Sequence, residues 1–187
     1  MAEYAMRILR NIWSQLHVYL VWLILGAVGW GFVFGIVTDA PAEKKLVLFA
    51  QVESIRDREL AVRLEENKPR GIRLVQVHSF DYVMFDEAGL INADLYIVPA
   101  GSVEAYRDSF LPLDQSKLPA DTPEILELDG KPCGIRVWDG QRGCAASYID
   151  YGEGEYYLFL GANALHAGET DDAAYWMIGE ILRMKNE

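Results

Sequence analysis

Apolar residues are distributed along this chain in two different ways. From Val18 to Val37 the sequence reads VYLVWLILGAVGWGFVFGIV, twenty residues without one charge. As a helix rising about 1.5 Å per residue, such a run covers about 30 Å, the thickness of a hydrocarbon core. A soluble helix of this length would show a polar stripe, and this one does not. The pattern predicts a membrane-spanning helix over 18–38, in contact with lipid, after a short N-terminal segment, 1–17. A cleaved signal peptide is the nearer rival, since Ala40-Pro41-Ala42 offers small residues at the right spacing. The apolar run is, however, longer than the roughly 7–15 residues of a signal core.

Beyond residue 38 the apolar positions become short and periodic. Lys45–Val52 is a brief apolar run and predicts a buried strand. Arg56–Asn67 places Leu60, Ala61 and Leu64 on one face, the spacing of an amphipathic helix, and Pro69 and Gly71 stop it. Ile72–His78 alternates and predicts a second strand. Short helices are expected over Asp81–Ala88 and Ser102–Asp108, with a third strand, Asp94–Val98, between them. Pro112, Pro119 and Pro123 make 111–123 a long loop or crossover. Gly134–Trp138, Ala146–Ile149 and Tyr156–Leu160 are strand-like. Asp171–Lys185 is an amphipathic helix, with Asp171 and Asp172 at its start and Arg183 and Lys185 at its end, as the helix dipole favours. The alternation of strands and helices predicts an α/β fold: one sheet with parallel pairing among its first strands, mixed later, and helices on its faces.

Composition narrows the function. The chain has 187 residues, 17 basic and 28 acidic, and a net charge of −11. Such a balance repels a phosphate backbone, so no nucleic-acid partner is expected. Hydrophobic residues make up 51%, too many for a disordered chain. Arg7 and Arg10 precede the apolar run, and Lys44 and Lys45 follow it. The charge rule for orientation is therefore nearly balanced. An N-terminal anchor followed by a domain is expected to hold its N-terminus in the cytoplasm and the domain, 39–187, outside. Ala27, Gly31 and Gly35 recur every four residues, the spacing of close helix contacts as well as of ordinary lipid-facing small residues.

No cofactor motif is present. Gly152-Glu153-Gly154 lacks the rest of a dinucleotide fingerprint, and no serine sits in a nucleophile elbow. The three histidines, His17, His78 and His166, show no metal-ligand spacing. No enzyme is expected. Cys133 and Cys144 flank a turn-like stretch, 139–143, and are candidates for a disulfide, with two free thiols as the alternative. Asp150, Glu153 and Glu155 form an acidic turn without calcium-loop spacing. Tyr82, Phe85, Trp138, Tyr148, Tyr151, Tyr156 and Tyr157 could stack on sugar rings or fill the core. Ligands of open α/β sheets sit beyond the carboxyl ends of the strands. That rule points to Glu53, Ser54, His78, Ser79, Gly101 and Ser102, with Asn163 and His166 near them.

Several stretches together resemble a known superfamily. They are KLVLFAQVESIRDRELAVRLEENKP, GIRLVQVHSFDY, LINADLYIVPAGSVEAYRDSFLPLD, GIRVWDG, SYIDYGEGEYYLFLGANALHAGE and DDAAYWMIGEIL. As a set they look like the extracellular solute-binding proteins of ABC transporters, the type 2 periplasmic-binding fold. The resemblance implies one lobe of that fold, tethered to a membrane, and a small-molecule or sugar ligand. It also implies an accessory or sensory role beside a membrane transporter. Members of that family are much longer and close two lobes on their ligand. A single lobe offers one wall, so an interaction domain that kept the fold without ligand binding is the alternative.

Overall fold

The computed structural model describes residues 2–38, 40–79, 93–168 and 171–185. The chain divides into two compact units, Met1–Ala40 and Pro41–Glu187. The first contains one helix, α1, Ala2–Thr38. Its stretch Gln15–Gly35 has a mean hydropathy of 2.0 and is long and apolar enough to cross a membrane. Trp22, Trp30 and Phe32 are about 70% exposed along it, a degree of apolar exposure that water penalises and lipid does not.

The second unit is built on alternation. Its strands are β1 (Lys45–Ala50), β2 (Ser54–Ile55), β3 (Leu74–Ser79), β4 (Leu95–Pro99), β5 (Phe110–Leu111), β6 (Ile125–Leu128), β7 (Lys131–Trp138), β8 (Ile149–Asp150) and β9 (Tyr156–Gly161). The main sheet runs β3-β1-β4-β9-β7-β6, and β5 pairs with β9. β1 is parallel to β3 and β4, as the strand–helix–strand pattern predicts; β9, β7 and β6 then alternate antiparallel. The architecture is mixed α/β.

Side chains point to opposite faces at every second residue, and the two faces have different compositions. Leu46, Leu48, Leu95, Ile97, Leu158 and Leu160 face an aliphatic core, covered by Leu60 and Leu64 of α2 (Asp57–Glu65) and by Met177, Ile178 and Ile181 of α3 (Ala173–Arg183). Phe49, Tyr96, Tyr157 and Phe159 face an aromatic cluster with Tyr106 and Phe110. There Phe110 stacks on Phe159 at 4.1 Å between ring centroids. Gly134 leaves room for that stack, since a Cβ at this position would lie 2.6 Å from the Phe159 ring.

Several expectations change. Both α-helices described in the unit pack on the aliphatic face, not on both faces. The segment expected as a helix over Ser102–Asp108 is a 3-10 helix, Glu104–Ser109, on the aromatic face. The helix expected over Asp81–Ala88 lies outside the described residues. Ala146–Ile149 is not a sheet strand; β8 is two residues long and pairs with β2 in a separate ribbon. That removes the geometry that would join the cysteines. Cys133 and Cys144 are free and buried, the first in the aromatic cluster and the second in the aliphatic core. Cys144 N–H donates to the Val137 carbonyl. Val137 lies four strand residues beyond Cys133, about 13 Å at extended rise, whereas a disulfide needs Cα atoms within about 7 Å. Burial raises both thiol pKa values.

Candidate functional site: a cleft at the carboxyl edge

Because β1, β3 and β4 run parallel, their carboxyl ends share one edge of the sheet: Ala50 is opposite Ser79 on one side and Ile97 on the other. β9 begins at this edge, with Tyr156 opposite Pro99 and Trp138. After Ala50 the chain crosses to β2, whose partner β8 brings 148–152 over the same edge. Two backbone bonds fix the crossing: Glu53 N–H to the Asp150 carbonyl, 3.1 Å, and Arg56 N–H to the Tyr148 carbonyl, 2.8 Å. Gly152 is required here. Its φ is +69°, and a Cβ would stand 2.8 Å from the Glu53 side chain.

This ribbon frames a cleft of about 370 Å³, lined by Ser54, Arg56, Trp138, Ser147, Tyr148, Asp150 and Tyr151 among others. Its aromatic wall is a packed stack. Trp138 stacks on Tyr151 at 5.1 Å with planes 12° apart, and Tyr151 meets Tyr156 edge-on at 5.2 Å. The Tyr151 hydroxyl donates to the Cys144 carbonyl, 2.6 Å, and burial holds its pKa far above the usual tyrosine value. Arg56 lies 5.9 Å over the Tyr148 ring and donates to Glu59 at 3.2 Å and to the Ser147 carbonyl. The Trp138 indole nitrogen is buried and has no partner among the described residues; the same holds for Gln51 Oε1, just beyond β1. An indole face, a hydroxyl, a carboxylate and a guanidinium around one cleft suit a small polar molecule with an apolar face.

The predicted site residues divide between two edges. Glu53, Ser54, Ser79, Gly101 and Ser102 stand on or just beyond the carboxyl edge, and of these Ser54 lines the cleft. His78 is there too, but it stacks on Phe49 of the aromatic cluster at 5.3 Å. Asn163 and His166 belong to the opposite edge. They follow β9, and β9 runs against β4, so its carboxyl end lies at the amino ends of β1 and β4. Here His166 is 1% exposed. Nδ1 meets Asp171 at 2.7 Å, Nε2 meets the Lys45 carbonyl at 2.9 Å, and its backbone N–H donates to Asp94 at 3.2 Å. A carbonyl and a carboxylate accept, so both contacts favour a ring that donates from each nitrogen, the imidazolium. Burial opposes that charge, but the Asp171 bond and the Asp94 charge outweigh it, and the His166 pKa is raised. Burial likewise raises the Asp94 pKa, against the Val47 N–H bond. For Asp171 burial opposes the charge, but the bond from His166, the Ala173 N–H and the His166 charge together outweigh it, and its pKa is lowered. His166 thus clasps the amino edge of the sheet, away from the cleft.

Of the expected aromatic platform, Trp138, Tyr148 and Tyr151 line the cleft. Tyr157 faces the aromatic cluster, its pKa pushed up to about 12 by burial and by its hydrogen bond to Glu155. Tyr82 and Phe85 lie outside the described residues. In the acidic turn only Asp150 lines the cleft; Glu155 binds Arg136 at 3.2 Å and the Tyr157 hydroxyl at 2.8 Å. Arg56 and Ser147 were not among the expected site residues. Arg56 reads as a helix start, and only its position directly after β2 could have marked it. Comparison with known proteins gives no matching family, no matching curated protein and no matching solved structure.

Proposed function

We infer that the chain is a membrane-anchored, solute-binding-like module. Its α/β unit lies on the extracytoplasmic side and acts as an accessory or sensory partner of a transport system. The observation that carries the reading is the cleft at the carboxyl edge, where parallel strands, a Trp138–Tyr151 stack and the polar groups of Ser54, Arg56 and Asp150 converge. The anchor supports it, since a tethered module can present a bound solute to a membrane partner. No step of chemistry is assigned to the site. The test is sidedness: Gln141→Cys, in an exposed turn, is labelled with a membrane-impermeant maleimide in intact cells. Labelling before lysis is expected, and labelling only after permeabilisation would sink the reading.

A second reading has its own observation. Along α2, Arg58, Glu59, Val62, Arg63 and Glu66 line a groove of about 380 Å³ with Tyr148, and Val62 is 64% exposed. An exposed aliphatic residue among charges suits a protein partner, as an interaction module without a solute would need.

A further inference from the structure

One corner of the α/β unit has a charge opposite to the rest. Residues 41–187 hold 15 basic and 26 acidic residues, yet the stretches 43–45 and 68–73 hold five basic residues and one acidic residue, Glu43. The fold brings these stretches together. Arg73 N–H donates to the Lys44 carbonyl at 2.8 Å, Lys45 is paired with Leu74, and Lys68 Nζ donates to the Arg73 carbonyl. A turn closed by Ile72 N–H and the Pro69 carbonyl, 3.2 Å, presents Arg70 beside them. Several cations elsewhere in the unit are held in ion pairs, among them Arg107 with Glu104 and Asp129, Arg136 with Glu124 and Glu155, and Lys185 with Asp121; Arg58, Lys131 and Arg142 stand singly and apart in the sequence. Here Lys68 is 3.5 Å from Glu65, whereas Lys44, Arg70 and Arg73 are exposed and make no ion pair among the described residues.

The corner also lies where the chain enters the unit. Thr38 ends α1, and five residues separate it from Lys44, a reach of at most about 20 Å over the six steps when extended. We propose that Lys44, Arg70 and Arg73 form a docking surface for anionic lipid headgroups in the leaflet that the α/β unit faces. Basic residues held this close to a bilayer are attracted to its negative surface, and each contributes about fivefold to the partition at low salt. The attraction fades within a Debye length, so it acts only where a tether keeps the patch near the surface. The acidic remainder of the unit is repelled from the same surface, which favours one face-down orientation.

The inference rests on the anchor, and the test separates the two. The full chain carrying Asn67→Cys, an exposed position at the same corner, is labelled with bimane. It is then reconstituted in lipid nanodiscs that contain a headgroup-quencher lipid. Incorporation into discs reports the anchor by itself. Stronger quenching is expected in discs containing phosphatidylglycerol than in pure phosphatidylcholine discs, with the difference removed by high salt. The triple variant Lys44→Gln, Arg70→Gln, Arg73→Gln should weaken docking about a hundredfold and quench equally in both discs. Equal quenching of the unsubstituted chain in the two discs would overturn the proposal. So would a lipid dependence that survives the triple substitution. If the variant does not fold, the salt dependence of the unsubstituted chain decides in the same way.

Discussion

Replacing His166 with Phe keeps a ring at the amino edge of the sheet and removes its two hydrogen bonds. The bond from a buried, charged donor to the Lys45 carbonyl is worth about 2 kcal/mol. The bond to Asp171 is worth less, about 1 kcal/mol, because that carboxylate is 44% exposed and water screens it. The substitution therefore costs about 3 kcal/mol, or about 6–12 °C in Tm for a unit of this size. The pH dependence carries a sign. The His166 pKa is raised above 6.5 in the folded chain, so its contribution is complete below 6.5 and is lost as pH rises through the folded value. The Asp171 pKa is lowered below 3.8, so its contribution is present above 3.8 and is lost as pH falls through the folded value. The gap between the two proteins is widest between these limits and narrows toward alkaline pH. Urea unfolding of residues 41–187 and of the variant across this range measures it. A gap below about 1 kcal/mol, or one that is the same at pH 6 and pH 9, would refute the assignment of His166 as a charged clasp.

Other outcomes follow from packing and polar satisfaction. Gly134→Ala places a methyl group 2.6 Å from the Phe159 ring, which is held by its stack on Phe110, and should destabilise by about 1–3 kcal/mol in thermal unfolding. Glu65 accepts from the Val75 N–H of edge strand β3 at 2.9 Å; Glu65→Ala should cost about 1–2 kcal/mol and speed amide exchange at Val75. Thiol titration without reductant should count two reactive thiols per chain in denaturant and almost none in the native protein, because Cys133 and Cys144 are free and buried. A chain that titrates none in denaturant contradicts the separation of the two cysteines.

The elements that could be read in the sequence are those whose signal is local. The continuous apolar run through Leu46, Leu48 and Phe49 announces a strand with two buried faces, and Leu60 and Leu64 announce α2. β6 escaped the reading because the prolines of 111–123 draw attention to a loop. Yet Asp129-Gly130 carries the mark of a two-residue hairpin, with φ of 53° and 71°, and joins β6 to β7. The direction of β9 has no local signal. It depends on which strand pairs with β4, and an error there moved Asn163 and His166 to the wrong edge. Cys133 is similar: it is the extra residue where the β6–β7 register shifts, a bulge that pairing alone defines. The carboxyl-edge rule pointed to Ser54, which lines the cleft, while Arg56 enters the cleft through the β2–β8 ribbon, which is too short to show a period.

The cleft is tested most directly by thermal shift of the folded chain against monosaccharides, oligosaccharides, amino acids and short peptides, beside Trp138→Ala. A ligand at about a hundred times its Kd should stabilise by about 2.7 kcal/mol. A dose-dependent rise in Tm with one of these classes is expected, lost in Trp138→Ala. A flat response from a folded chain, or a rise that Trp138→Ala leaves intact, would contradict solute binding at the cleft.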